Sequence, residues 1–200
     1  MNKKPARGRV ILLRHGSTSL NNTEKSEDRI RGWIDVPLNP QGKKEAEEAG
    51  KKLQGTTVNQ IYSSDLKRAE ETAQIVDKYV GRPSIITASA LRPWNLGELQ
   101  GEKSALVAPQ MEKYIKDERL APRGGEPFKT FHHRFLTSLQ HIIEQAQKND
   151  EVVLIVTHYR NTKLADAWQK AGFPKDLSID LKTMLEDNVN PAETLELKLP

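Results

Sequence analysis

In this 200-residue chain, two histidines and two arginines stand where short apolar runs give way to polar sequence. Arg9-Val10-Ile11-Leu12-Leu13 ends in Arg14-His15-Gly16-Ser17-Thr18. The run from Val58 to Tyr62 leads into Ser63-Ser64-Asp65-Leu66-Lys67-Arg68, and the run from Glu151 to Val156 into Thr157-His158. Such runs read as buried strands by length and branching, and in open α/β sheets ligands bind beyond the carboxyl ends of the strands. Arg14, His15, Arg68 and His158 are therefore expected together at one edge of a sheet. Guanidinium forks match the oxygens of a phosphate dianion. Phosphoryl transfer asks a protein mainly for positioning and for charge stabilisation on those oxygens. Imidazole is a competent nucleophile near neutral pH because a large fraction is unprotonated. Gly16 would let the backbone approach a phosphate, and Ser17 and Thr18 add hydroxyl donors. The cluster predicts phosphoryl chemistry.

Other readings compete residue by residue. A lone Arg-His-Gly triplet, or a lone Thr-His after a strand, is more often structural than catalytic. Histidines also ligate metals, but arginines beside them repel a cation, and no metal is expected. No P-loop pattern occurs, so nucleotide binding by that route is not indicated. His132, His133 and His141 fall on an amphipathic helix and read as surface or packing residues.

The elements that must position these groups follow from periodicity and caps. Asn39-Pro40 sets a capping residue before a proline, starting a helix that turns Ala46, Ala49 and Leu53 inward and closes at Gly55. Asp65 is expected to cap a second helix, with Leu66, Ala69, Ala73, Val76 and Val80 inward and Gly81 at its end. Ser84 to Ala88 is a third strand, and Leu91 to Gly101 is irregular. Further helices are expected from about Ser104 to Asp117, Pro127 to Gln147 and Arg160 to Ala171, with a last strand at Thr194 to Leu199. Asn21 to Asp28 reads as a loop. Strands alternating with helices predict an α/β fold whose mainly parallel sheet is covered on both faces. One domain over residues 1–200, with a basic, flexible tail at 1–8, suits the length.

Hydrophobic residues make up 36% and charged residues 29% of the chain, a globular rather than a disordered composition. There is no cysteine, which excludes disulfides and thiolate zinc sites and accords with a reducing cytoplasm, the expected location. No run of about 18 apolar residues occurs, and the first apolar stretch is too short for a signal-peptide core, so no membrane partner is expected. The 31 basic against 27 acidic residues favour anionic partners in general. Aromatics are 6% of residues and form no interleaved basic-aromatic strip, so nucleic acid is not expected.

Leu13-Arg14-His15-Gly16-Ser17-Thr18-Ser19-Leu20-Asn21 resembles the signature of the histidine phosphatase superfamily, in its phosphoglycerate-mutase-like branch. The resemblance continues through Arg31-Gly32-Trp33-Ile34-Asp35-Val36-Pro37-Leu38 with Gly42, then Tyr62-Ser63-Ser64-Asp65-Leu66-Lys67-Arg68-Ala69. It resumes at Leu91-Arg92 with Gly97 and Gly101, at Gly124-Gly125-Glu126 and at Val156-Thr157-His158, covering Arg9 to about Asn161 in order. It implies a three-layer α/β/α sandwich. It implies that His15 is the nucleophile that becomes phosphohistidine, and that Arg14, Arg68 and His158 grip the phosphoryl oxygens. Asn21, with Ser17 and Thr18, would lie in the phosphate pocket, and Arg31-Gly32 at its rim. No metal or organic cofactor is implied.

One position departs from the pattern. After the Leu91-Arg92 pair similar enzymes usually carry a glutamate that protonates the leaving oxygen and later activates water; this chain has Pro93. Glu98, Glu24, Glu27, Asp28, Asp35 and Glu126 are candidate replacements, and the sequence does not choose among them. The expected activity is hydrolysis of a phosphorylated small molecule or phosphorylated protein. Mutase-type phosphotransfer, or a phosphate-binding module with weak catalysis, are the alternatives.

Overall fold

The computed structural model describes residues 8–21, 27–117, 119–186 and 190–199. Strands β1 (Arg9–Arg14), β2 (Gln60–Ser63), β3 (Ser84–Thr87), β4 (Val152–Thr157) and β5 (Thr194–Glu196) form one sheet in the order β3-β2-β4-β1-β5. The first four run parallel, and β5 lies antiparallel against β1. The helices are α1 (Pro40–Leu53), α2 (Lys67–Asp77), α3 (Ser104–Lys116), α4 (Phe128–Asn149), α5 (Tyr159–Lys170) and α6 (Leu181–Glu186). The sequence reading did not anticipate α6.

Successive strand residues point to opposite faces, and the core divides accordingly. Val10, Leu12, Val153 and Ile155 pack with Phe131, Phe135 and Leu139 of α4 and Trp168 of α5. Ile11, Leu13, Leu154 and Val156 pack on the other side with Ala49 and Leu53 of α1 and Ala73 and Val76 of α2. The result is a three-layer α/β fold. β1 from Val10 to Leu13 and β4 from Val152 to Val156 are unbroken apolar runs because both faces are covered.

Local chemistry explains the element boundaries. The Asn39 side chain accepts from the Gly42 N–H at 2.7 Å and Pro40 opens α1, as expected. Asp65 does not cap α2. The helix starts at Lys67 with no side-chain cap, because both Asp65 oxygens accept from Arg92, Nε and Nη2 each at 2.7 Å. A fork-to-carboxylate pair is stronger than a neutral cap bond. Residues 1–7 of the expected tail lie outside the described residues, and Gly8 is not tail-like: it is buried, and a Cβ there would collide with the Ala146 backbone.

The irregular segment between β3 and α3 contains two 3-10 turns, Ser89–Leu91 and Gly97–Leu99. It is held mainly by Arg134 of α4. That guanidinium donates to the carbonyls of Ala90, Arg92 and Pro93 at 3.0, 3.1 and 3.3 Å, and to Glu126 Oε1 at 2.7 Å. Trp33 Nε1 also donates to the Pro93 carbonyl, at 2.8 Å. Arg134→Met keeps the aliphatic stem but leaves Glu126 and these carbonyls short of donors. It is expected to cost about 2–3 kcal/mol in urea unfolding, with a parallel loss of activity as the Pro93 segment loosens.

Candidate active site

The parallel ladder delivers the expected groups together. Arg14 pairs in register with Thr157, and Ser63 with Val156, so β1, β2 and β4 end level with one another. Beyond those ends lies a cavity of about 230 Å³ lined by His15, Arg68 and His158, with Arg31, Asp28 and Arg160 among the other walls. The His15 and His158 rings meet edge-on, 5.1 Å between centroids.

His15 has a defined tautomer. Its Nδ1 lies 2.7 Å from the Gly16 carbonyl, which can only accept, so Nδ1 carries the proton. Nε2 is then a lone pair, and Arg68 Nε donates to it at 3.2 Å. Arg68 is itself fixed by the carbonyls of Ile34 and Gly32, at 2.8 and 2.7 Å from its two terminal nitrogens. Gly32 turns at φ +48, where a Cβ would collide with the Gln100 side chain. Arg14 is buried beside the cavity rather than in its lining, 5.2 Å from the centroid of the Tyr159 ring. Both ring nitrogens of His158 are buried, with no hydrogen-bond partner among the described residues.

Electrostatics keep the two imidazoles neutral. Burial, then Arg68, Arg14 and Arg31, hold His15 well below the ordinary histidine pKa. Burial, then Arg68 and the other cations around it, do the same to His158. Burial lowers Arg68 to about 9 and Arg14 to about 10, which leaves both charged at neutral pH.

A stability consequence follows from these depressed pKa values. Unfolding restores a pKa near 6.5, so below that pH the unfolded chain binds protons that the folded chain excludes. The histidines' contribution is full above about pH 6.5 and falls away on acidification, by up to about 1.4 kcal/mol per pH unit for each. Urea midpoints at pH 7.5 and 5.5 should therefore separate more in the wild type than in His158→Gln. Equal separations would show that His158 is not held neutral.

Several expected pocket residues lie elsewhere. Gly16 donates its N–H to Thr72 Oγ1 at 3.2 Å, and a Cβ there would collide with the Gly42 backbone of α1. Its close approach is thus to a helix, not to a ligand. Ser17 gives its N–H and hydroxyl to Glu45, at 2.7 and 3.0 Å. Thr18 gives its N–H and hydroxyl to Asn21 Oδ1, at 2.9 and 3.2 Å. None of Gly16, Ser17, Thr18 and Asn21 lines the cavity, because the turn after β1 uses its donors internally. Arg31 and Gly32 do line it, as expected.

The candidate carboxylates separate in the same way. Glu98 is exposed, Asp35 pairs with Lys67, Glu27 with Lys103 and Glu126 with Arg134, and none lines the cavity. Glu24 lies outside the described residues. Asp28 does line it, and among the described residues it is the one carboxylate that does. Asn21 Nδ2 and Ser104 Oγ donate to its two oxygens, each at 3.3 Å, and Arg31 lies 3.6 Å away. Sequence reasoning missed Tyr159 and Arg160, whose signal was their place directly after Thr157-His158, and also Trp94 and Ser104.

Comparison with known proteins decides the family. Residues 10–175 match the family model described as histidine phosphatase superfamily (branch 1). The chain belongs to the histidine phosphatase superfamily. It is 34% identical over 156 residues to phosphoglycerate mutase-like protein 4 of Arabidopsis thaliana, covering 74% of this chain and 65% of that protein. It is 32% identical over 184 residues to a 2,3-bisphosphoglycerate-dependent phosphoglycerate mutase of Cytophaga hutchinsonii, covering 87% and 83%. A metal-independent phosphoserine phosphatase of Arabidopsis thaliana is 33% identical over 159 residues, covering 74% of this chain and 63% of that one. The chain thus spans just under two thirds of both Arabidopsis relatives. In fold it is similar to a mycobacterial glucosyl-3-phosphoglycerate phosphatase solved with VO3, with TM-score 0.75, 24% identity, and 94% and 90% of the two chains covered. Among the described residues no helix is long and apolar enough to cross a membrane.

Proposed function

We propose that this histidine phosphatase homologue is a phosphatase that carries the phosphoryl group on His15 Nε2, without a metal ion, as a protein of the cytoplasm. The observation that carries the reading is the His15 tautomer: Nδ1–H tied to the Gly16 carbonyl, Nε2 unprotonated at the cavity wall. Phosphate oxygens draw the Arg68 N–H off that lone pair, which exposes the nucleophile as the substrate arrives. Nε2 attacks phosphorus, the P–N bond forms and the ester P–O bond breaks. Arg68 and His158 stabilise the equatorial oxygens, Arg14 adds its charge from beside the cavity, and the His158 ring nitrogens have no other partner among the described residues. Asp28 is the proton-transfer group in place of the missing glutamate at position 93. Its carboxyl gives a proton to the leaving oxygen; its carboxylate then takes one from water as water attacks phosphorus and the P–N bond breaks. Phosphate leaves and His15 is regenerated.

Brief incubation with a 32P-labelled phosphate donor, quenched in alkali, should leave acid-labile label on His15. No label under single-turnover conditions would overturn the reading. The mutase relative makes a second outcome worth separating in the same experiment. Chasing the labelled enzyme with 3-phosphoglycerate yields labelled inorganic phosphate if it is a hydrolase, and labelled phosphoglycerate if it is a mutase.

A further inference from the structure

We propose that Glu45 of α1 and Thr72 of α2 are positioning residues that act on His15 through Gly16, by clamping the peptide planes on either side of that glycine; this rests on His15 being the nucleophile. Thr72 Oγ1 accepts the Gly16 N–H at 3.2 Å and donates its own proton to the Arg68 carbonyl at 2.7 Å. Glu45 Oε2 accepts the Ser17 N–H at 2.7 Å, and Oε1 the Ser17 hydroxyl at 3.0 Å. The Gly16 carbonyl shares a peptide plane with the Ser17 N–H and points the opposite way, onto His15 Nδ1 at 2.7 Å. Glu45 and the His15 ring thus hold opposite ends of one peptide. Gly42 makes this reach possible. A Cβ there would collide with the Ser17 backbone, so α1 comes close enough for Glu45, on the same face of the helix, to meet the Ser17 N–H.

The clamp answers a specific hazard. Glycine has a wide choice of backbone conformations, and a flip of the Gly16–Ser17 peptide would turn the Ser17 N–H toward the ring. Nδ1 would then accept, and the proton would move to Nε2, the attacking atom. There it would face the Arg68 Nε–H head on. With a carboxylate on the Ser17 N–H, the flip breaks a charge-assisted bond. The same peptide serves the chemistry. The Nε2 lone pair forms the bond to phosphorus as the ester P–O bond breaks, and the ring gains positive charge while keeping its Nδ1 proton. A Gly16 carbonyl polarised from its far end by Glu45 accepts the hydrogen bond of that proton more strongly. Thr72 is fully buried, and Arg68, four residues earlier on the same helix, donates to Nε2. α2 therefore sets both the attacking atom and the peptide that fixes its tautomer.

Long-range proton–nitrogen NMR on protein labelled at its histidine nitrogens reads the tautomer in the resting enzyme, with the His15 signals identified by their loss in His15→Gln. Wild type should show Nδ1 protonated, Nε2 bare and a slowly exchanging Nδ1 proton. Thr72→Val and Glu45→Met keep the approximate shape and remove the acceptor. Each should speed exchange of that proton and draw the two nitrogen shifts toward each other. Turnover number kcat should fall about 10²-fold, the cost of a small misplacement, with KM within about threefold because Arg68 and His158 remain. Thr72→Ser and Glu45→Gln restore an acceptor and should recover both the His15 signature and most of the turnover. An unchanged signature in both Thr72→Val and Glu45→Met would overturn the proposal. So would Thr72→Ser and Glu45→Gln performing no better than their apolar counterparts, the mark of packing alone. The signature needs no turnover. If it responds as stated while the phosphohistidine trap fails, the phosphatase reading alone falls and the clamp on the His15 tautomer stands.

Discussion

Replacing His15 by alanine is expected to lower kcat on any phosphate ester by about 10⁴–10⁶-fold, the loss typical of removing a nucleophile that acts together with its partners. The effect should be nearly independent of leaving group, because no bond to phosphorus forms without Nε2. The small buried cavity left behind costs some stability, so circular dichroism and a urea titration must show a folded variant. Arg68→Lys makes a graded comparison. Lysine keeps the charge but cannot at once reach His15 Nε2 and the carbonyls of Gly32 and Ile34, which Arg68 spans. It should lower kcat while still allowing slow phosphorylation. Turnover in His15→Ala within tenfold of wild type would mean that the nucleophile is elsewhere.

The second large effect separates substrates by their leaving group. Asp28→Asn should slow alkyl phosphates by about 10²–10⁴-fold, the usual contribution of a positioned acid. Esters of nitrophenols leave without a proton and should change several-fold at most in the phosphorylation step. A plot of log kcat/KM against leaving-group pKa is then shallow for the wild type and steep for the variant. Parallel slopes would show that Asp28 only anchors Arg31 and accepts from Asn21 and Ser104. Asparagine preserves the shape and part of the hydrogen bonding, so a change of slope reports the proton and not the packing.

The convergence of Arg14, His15, Arg68 and His158 was legible in the sequence because it depends on short-range signals. Each follows a compact apolar run, and parallel neighbours end level without any knowledge of the loops. The roles of Ser17, Thr18 and Asn21 were not legible. A hydroxyl or amide next to a phosphate-binding motif serves the ligand or its own turn according to which acceptors lie nearby. Here Glu45 comes from α1, and Asn21 folds back on Thr18. Asp65 read as a cap because nothing local disclosed Arg92, its partner across the irregular stretch. Asp28 stood among six carboxylates until tertiary packing set it, alone of the described ones, on the cavity wall. Arg160 escaped notice because a charged residue in a first helical turn is ordinarily solvated.

β1 precedes the other strands in the sequence, yet both strands that flank it, β4 and β5, follow it only after β2, β3 and four helices. Until β4 is made, the nascent chain carries Arg14 and His15 on an apolar ribbon with two unsatisfied edges, the kind that other chains readily join. The sheet becomes continuous only when β4 inserts between β1 and β2. Such distant pairings slow folding and lengthen exposure to aggregation. Expression at low temperature, or with a holdase that shelters residues 9–14, should therefore raise the soluble yield more than any change to the catalytic groups.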